Sequence, residues 1–414
     1  MKYPDLNTYA VFGIYGFAAA APFSNAAMET AIVYLAVVWI AALIADIKVG
    51  GGLYRRRFRW NWITVGIAAY IAVQIAAGAL SERPLYSMLR VKEEWIILLY
   101  CALVGLLVSR RIFLRALYIL AVSCSISGVY AVIQHFTGIN LFRDLPLTEY
   151  GGYFRSGGFF GFCLTFGGFI LIVFTVMLGS FYGSVKFRDK ALFGMASAAT
   201  YAAAVASYAR SSWTGAIAGS VILSFIYHWK TGLKYAAVLL LFWIGIYLFH
   251  PTLITEHGVT SMTDPEYSEG SKIRIELWQK GMALFKDHLV LGVGPGNFQY
   301  FLKRYGASER TASLTHPHND VLNAAVQTGI LGAAAFLWIW LAFIWKCCAF
   351  WRQEKNRDSL TAGAVLGCGG AIVGILAAGM FQCYYTDIEV GMIWWYITGL
   401  AAAVISLPSK EENA

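Results

Sequence analysis

Apolar runs long enough to cross a bilayer recur along most of this 414-residue chain. A membrane-spanning helix needs roughly 20 predominantly apolar residues, because its backbone polar groups must be satisfied internally where water is absent. Hydrophobic residues make up 58% of the chain and charged residues 13%, about half the roughly 25% charge of a soluble domain. Too little polar surface remains to cover one water-soluble core. The expected fold is an all-α polytopic membrane protein of about twelve helices. The expected spans are 8–23, 28–46, 61–80, 95–109, 112–134, 157–182, 191–208, 212–229, 233–250, 319–346, 359–382 and 390–406. No composition shift, low-complexity tract or fixed-period repeat divides the chain, so residues 1–414 form one membrane domain.

The net charge of +9 is distributed in a way that explains itself by topology rather than by nucleic-acid binding. Lys48, Arg55, Arg56, Arg57, Arg59, Arg110, Arg111, Lys186, Arg188, Lys190, Lys230, Lys234, Arg352, Lys355 and Arg357 fall in alternate connections, which are therefore expected to be cytoplasmic. Both termini then lie inside, and the outer connections are 81–94, 135–156, the turn near Arg210, and 251–318. Seven cysteines sit mostly within or beside apolar runs and form no CxxC pair, so neither a disulfide framework nor a zinc site is expected.

Several cations break the topological trend by lying outside: Arg90, Arg143, Arg155, Arg210, Lys272 and Arg274. They pair with nearby acids such as Glu93, Glu94, Asp144 and Glu149, or they converge on an anion. Pairing is the expectation for Arg143 and Lys272. Convergence is the expectation for Arg210, which lies between two apolar runs with no acid nearby in sequence.

The segment 251–318 is too long for a simple connector. Its first part, through Gly270, is polar and acidic. From Ser271 the spacing of Ile273, Leu277, Leu284 and Phe285 predicts an amphipathic helix, capped by Ser271 and suited to the membrane surface. Gly292-Val293-Gly294-Pro295-Gly296-Asn297-Phe298 follows. Without a strand–turn–helix context it reads as a structural turn rather than a phosphate loop.

The loop ends at His316-Pro317-His318-Asn319-Asp320, where an apolar helix begins. Pro317 disfavours helix before it, and Asn319 or Asp320 can cap the start. His318 then sits at a helix N-terminus, whose dipole disfavours imidazolium and leaves a neutral proton acceptor. Asn319, Asn323 and Gln327 form a polar stripe at helical spacing. Metal ligation by His316 and His318, or a purely capping role, are the competing readings; no acid or cysteine completes a metal set. His257 and His288 read as surface residues, and His135 is undecided.

His318-Asn319, nine residues, Gly329, two residues, Gly332 resembles the signature of bacterial O-antigen ligases within the wider superfamily that includes Wzy-type polymerases. The Gly-Val-Gly-Pro-Gly-Asn-Phe and Ser-Lys-Ile-Arg-Ile-Glu-Leu-Trp segments are similar to that superfamily's large periplasmic loop. Arg210 in Ala-Arg-Ser-Ser-Trp-Thr-Gly and Arg155 in Phe-Arg-Ser-Gly-Gly-Phe-Phe resemble its recurrent arginines. Two departures stand out: Ala333 replaces a common Thr, and Arg274 is followed at the usual leucine spacing by Trp278.

The resemblance implies a GT-C-like membrane glycosyltransferase with its loop between the ninth and tenth spans, in a bacterial inner membrane, with a periplasmic active site. It implies transfer of a glycan from undecaprenyl diphosphate to an acceptor hydroxyl, most simply on lipid A–core, by a metal-independent inverting displacement and without a cofactor. His318 would be the base, with Asn319, Asn323 and His316 in support. Arg210 and Arg274, then Arg155 and Arg90, would bind the diphosphate. Asp387 and Glu389 either orient a sugar or are solvated; Asp264 and Glu266 read as loop surface. A polymerase or a protein O-oligosaccharyltransferase would share the chemistry. An anion transporter is the alternative of another class, but the polar residues gather at one face and no inverted repeat is evident.

Overall fold

In a computed structural model, which describes residues 6–49, 61–143, 145–249, 251, 255, 260 and 269–407, every span expected from hydropathy falls on a helix. In chain order these begin with α1 (Leu6–Ala20), α2 (Asn25–Val49), α3 (Trp62–Ala79) and a short α4 (Pro84–Val91). They continue with α5 (Ile97–Leu106), α6 (Arg110–Thr137), α7 (Cys163–Gly183), α8 (Phe187–Ala206), α9 (Arg210–Tyr227) and α10 (Trp229–Phe249). The long loop contributes α11 (Glu269–Asp287) and α12 (Phe298–Leu302), before α13 (Asp320–Glu354), α14 (Ser359–Gly379) and α15 (Ile388–Ile405). A two-residue hairpin, β1 (Glu149–Tyr150) with β2 (Tyr153–Phe154), is the only strand pairing among the described residues. The protein is thus an all-α multi-pass membrane protein. Eight helices among the described residues are long and apolar enough to cross a membrane: α2, α3, α6, α7, α10, α13, α14 and α15. The expected twelve are not reached on that measure, because α1 and α5 have 15 and 10 residues and α8 and α9 are too polar. Arg55, Arg56, Arg57, Arg59, Asp144, His257, Asp264 and Glu266 lie outside the described residues.

The centre of the bundle is held by glycines four residues apart. In lipid, hydrophobicity does not drive helices together, and small residues that allow close backbone approach do that work. On α14, Gly363 and Gly367 face Gly179 and Gly183 of α7, while Gly370 and Gly374 face Gly215 and Gly219 of α9. A Cβ on Gly215 would lie 2.5 Å from the Gly374 carbonyl oxygen. This contact fixes the start of α9, with Arg210, relative to the turn that follows α14.

Side-chain contacts sort the connections to two ends, as alternate loops require. Arg110, starting α6, pairs with Glu354 at 2.8 Å and with Asp358 at 3.4 Å, at and beyond the end of α13. Ser359, starting α14, bonds the Gly183 carbonyl ending α7. The opposite end carries the His318 turn and the turn after α14.

At that opposite end α13 is broken. Gly329 is left-handed, with φ 67° and ψ −167°, inside the helix. The break frees the carbonyls of Val326 and Gln327, which accept from the Val293 and Gly294 amides at 2.9 Å each. Ile330 in turn donates to the Leu289 carbonyl at 2.8 Å. The glycine-rich segment is therefore a docking strap, in keeping with its turn chemistry. A side chain at Gly329 would collide with the Val290 carbonyl.

The amphipathic helix of the loop is present, but two details differ. It begins by Glu269, so Ser271 is inside it rather than its cap; an acid in the first turn suits the helix dipole. Its apolar side is also turned to protein rather than free for a membrane surface. Leu277 and Leu284 are buried with Val293, Phe298, Phe301, Leu302, Leu322 and Val326, and Ile273 and Phe285 pack against them. Glu276 holds the loop's return by accepting from the Ser308 amide and hydroxyl, each at 2.7 Å.

If the break organises this end, Gly329→Ala will lower the thermal unfolding midpoint in detergent. A side chain forced into left-handed backbone costs about 1 kcal/mol or more before any collision. Gly245→Ala on α10, where a Cβ meets nothing within 4 Å, will leave the midpoint unchanged or raise it.

Candidate active site

The site is built where two breaks in regular backbone meet. Pro317 is buried, and His318 takes φ 52°; Tyr208, two residues before Arg210, takes φ 54°. These two are the only left-handed non-glycine residues among those described. Such backbone costs on the order of 1–3 kcal/mol per residue and persists only where surroundings hold it. Asn319, not Asp320, is the cap of α13, accepting from the Leu322 amide at 2.9 Å. Asp320 is buried, and its carboxylate accepts the amides of Tyr384 at 3.2 Å and Tyr385 at 3.0 Å. The turn after α14 is thereby tied to the His318 turn.

That turn supplies the ring's partner. Nδ1 of His318 is hydrogen-bonded to Oε1 of buried Gln382. A carbonyl oxygen can only accept, so Nδ1 carries the proton and Nε2 presents a lone pair. No other side-chain bond of His318 is formed among the described residues. His316 lies against it, ring centroids 4.4 Å apart and edge to face, and its Nδ1 accepts from the His318 amide at 3.4 Å. Burial, then the neighbouring His318, pushes His316 down to about 4. Burial also lowers His318, and Arg274 pushes in the same direction against the Gln382 bond. Both rings are neutral at neutral pH, so His318 is a competent base.

The guanidinium groups gather beside it. Arg274, on α11, is close enough for its charge to act on His318, and burial lowers its own pKa, with Tyr384 opposing and Arg155 reinforcing that shift. Arg155 follows β2 and reaches the Tyr208 carbonyl with Nη2 at 3.5 Å. The Nε groups of both Arg155 and Arg274 are buried without a hydrogen-bond partner among the described residues. Buried donors are nearly always paired, so two orphans on adjacent arginines leave donors that could bond an acceptor. Arg210 begins α9, half-buried, two residues past the carbonyl that Arg155 reaches. The Tyr384 hydroxyl shares hydrogen bonds with Ser211 at 2.8 Å and Ser212 at 3.0 Å, which brings the start of α9 to the same turn.

Other expected residues sit elsewhere. Arg90 pairs with Glu93 and lines a separate cavity with His316 and Asn323. Arg143 donates to the Phe159 carbonyl at 3.0 Å; the neighbouring acid Asp144 lies outside the described residues. His135, undecided from sequence, anchors the hairpin: Nδ1 bonds to the Phe154 carbonyl at 3.0 Å, and the ring stacks on Tyr153 at 5.1 Å. His288 makes an edge contact with Phe301 at 5.5 Å. Asp387 caps α15 and accepts from Thr165 at 2.5 Å, with burial raising its pKa to about 7. Glu389 accepts from Asn25 at 2.5 Å, so neither acid is merely solvated. Gln382 and Tyr384 are not marked by any sequence motif; the available signal is a short polar turn on the same face as His318.

Titration by NMR with labelled histidine is expected to find His318 neutral at pH 7, charging only below its ordinary 6.5. Arg274→Gln removes a positive charge that disfavours imidazolium, so it will move that titration to higher pH.

No curated protein matches the chain. Residues 193–337, the stretch that carries Arg210, Arg274 and His318, match the family model for O-antigen ligase, so that part of the chain is similar to this family.

Proposed function

We propose that the protein transfers a glycan from undecaprenyl diphosphate to a hydroxyl of an acceptor, a lipid A–core sugar, at the periplasmic face of a bacterial inner membrane. The observation that carries this reading is a neutral imidazole with a free Nε2 beside two arginines whose buried Nε donors lack partners. A glycosyl diphosphate needs those two functions side by side. The leaving diphosphate gains charge as the glycosidic C–O bond breaks, and preorganised guanidinium groups stabilise that charge more in the transition state than in the ground state. The acceptor oxygen needs a base to take its proton as it attacks.

The step balances as a single displacement. The acceptor oxygen bonds to the anomeric carbon, its proton passes to Nε2 of His318, and the diphosphate leaves with the electrons of the broken C–O bond. Attack opposite the leaving group inverts the anomeric centre. Arg274 and Arg155 hold the diphosphate, and Arg210 completes the grip from the start of α9. Gln382 keeps the proton on Nδ1, so the reactive nitrogen is the one left open. Asn319 holds the helix start that carries the base. The arginines supply the positive charge, and no metal enters the scheme.

With purified protein, a lipid-linked donor and lipid A–core, His318→Ala is expected to lower kcat by about 10²–10⁴-fold, the usual weight of a positioned base. Arg210→Lys will be severely impaired although it keeps its charge, since a lysine cannot present a planar fork. The acid limb of the rate profile will fall as pH drops through the His318 titration, below 6.5, because only the neutral ring accepts a proton. EDTA will leave turnover unchanged. A deletion strain will accumulate long glycan unattached to lipid A–core; single repeat units attached to core would instead identify a polymerase.

A further inference from the structure

A cavity of about 500 Å³ opens beside the histidine pair, inside the roughly 300–1,000 Å³ range of small-molecule sites. It lies between α3, α4 and the turn after it, the start of α13, and the turn before α15. His316 is on its wall, and the ring of His316 touches that of His318. Arg155, Arg210 and Arg274 are not among its lining residues.

Its chemistry is the opposite of the arginine cluster's. Carboxylates of Glu94, Asp387 and Glu389 and amides of Gln74, Asn323 and Gln327 line it. The one guanidinium on the wall, Arg90, is already paired with Glu93. The polar groups are held in place: Gln74 donates to Glu94 at 3.0 Å, and Tyr385 donates to Glu94 at 2.8 Å. Asn323 is only 5% exposed, yet it spends its Oδ1 on Gln327 and leaves its amide nitrogen without a protein partner among the described residues. That nitrogen is not sealed in the protein and can donate to an acceptor in the cavity. Carboxylates and amides together accept from and donate to hydroxyls, and Tyr70, Phe336 and Tyr385 offer aromatic faces. A phosphate would find no unpaired cation among the residues that line this cavity.

We infer that this cavity binds the hydroxyl-bearing, unphosphorylated sugar of the acceptor and delivers it past His316 to His318, apart from the diphosphate at the arginines. The inference rests on the glycosyl-transfer reading above. The wall sorts two large substrates by charge before they meet at one imidazole.

The test measures KM for lipid A–core and for undecaprenyl-diphosphate-linked glycan separately, with the full-length protein in nanodiscs. Asn323→Leu removes a side-chain amide from the cavity wall. Thr315→Trp narrows the cavity from an exposed position on its wall and does not disturb the core. Each is expected to raise the acceptor KM about ten-fold, the weight of one well-made buried hydrogen bond, and to leave the donor KM unchanged. Should Asn323→Leu fail to fold, Thr315→Trp carries the test alone. Transfer by the wild type with acceptor KM unchanged in the folded variants, or with the donor KM raised instead, overturns this assignment and leaves the reaction standing. No transfer by the wild type overturns the reaction, and this inference with it.

Discussion

The docking of Leu289–Gly294 into the broken helix at Gly329 is the interaction on which the rest of this end of the molecule depends. An unbroken helix would keep the Val326 and Gln327 carbonyls for itself. Left-handed backbone at one glycine releases them to the strap, and Ile330 returns a bond to Leu289. The segment Asp320–Thr328 thus becomes a short helix fixed at both ends. Asn319 caps its start, and the strap seals its finish. The His318 imidazole, two residues before such a helix, cannot drift far. The spacing of nine residues between Asn319 and Gly329 is the length of that helix, which gives the signature a mechanical reason.

Around that fixed helix the molecule arranges opposite electrostatics. Arginines from three places, after β2, at the start of α9 and on α11, come together only in three dimensions, and the glycine contacts of α14 with α7 and α9 bring the start of α9 there. Placing like charges near one another is unfavourable, and the buried Nε donors of Arg155 and Arg274 are left unpaired. The strained backbone at His318 and Tyr208 lies at the same junction. Stability withheld there is available to a ligand that brings negative charge and acceptor oxygens. Glu94, raised to about 7 by burial, and Asp387 line a separate cavity that lacks those three arginines.

Much of this is legible in the sequence. Hydropathy locates the helices because the bilayer sets their length, and the excess of Gly and Pro at 292–296 marks a turn. Pro317 and the Asn319 that follows place His318 at a helix start. What escapes is long-range. Nothing in local pattern couples Gln382 to His318, 64 residues away, or Tyr384 to Ser211. Arg90 groups with the other outer arginines because sequence shows side of membrane but not partner; its ion pair with Glu93, three residues on, is one of the two readings open to it. The helix at 269–287 has a face that suits either lipid or protein, and periodicity cannot say which; the apolar residues of 293–302 decide for protein. The paired glycines of α7, α9 and α14 are visible as four-residue spacings, but only packing shows which face which.

On the mechanism proposed above, the arginine cluster and His318 address one diphosphate from two sides. Cryo-electron microscopy of the protein in nanodiscs with undecaprenyl diphosphate bound tests this most directly. The expected result is density for the diphosphate within hydrogen-bond reach of Arg155 and Arg274, with Nε2 of His318 facing the phosphate that would carry the sugar. A diphosphate seated instead among Glu94, Asn323 and Asp387, away from those arginines, would contradict it.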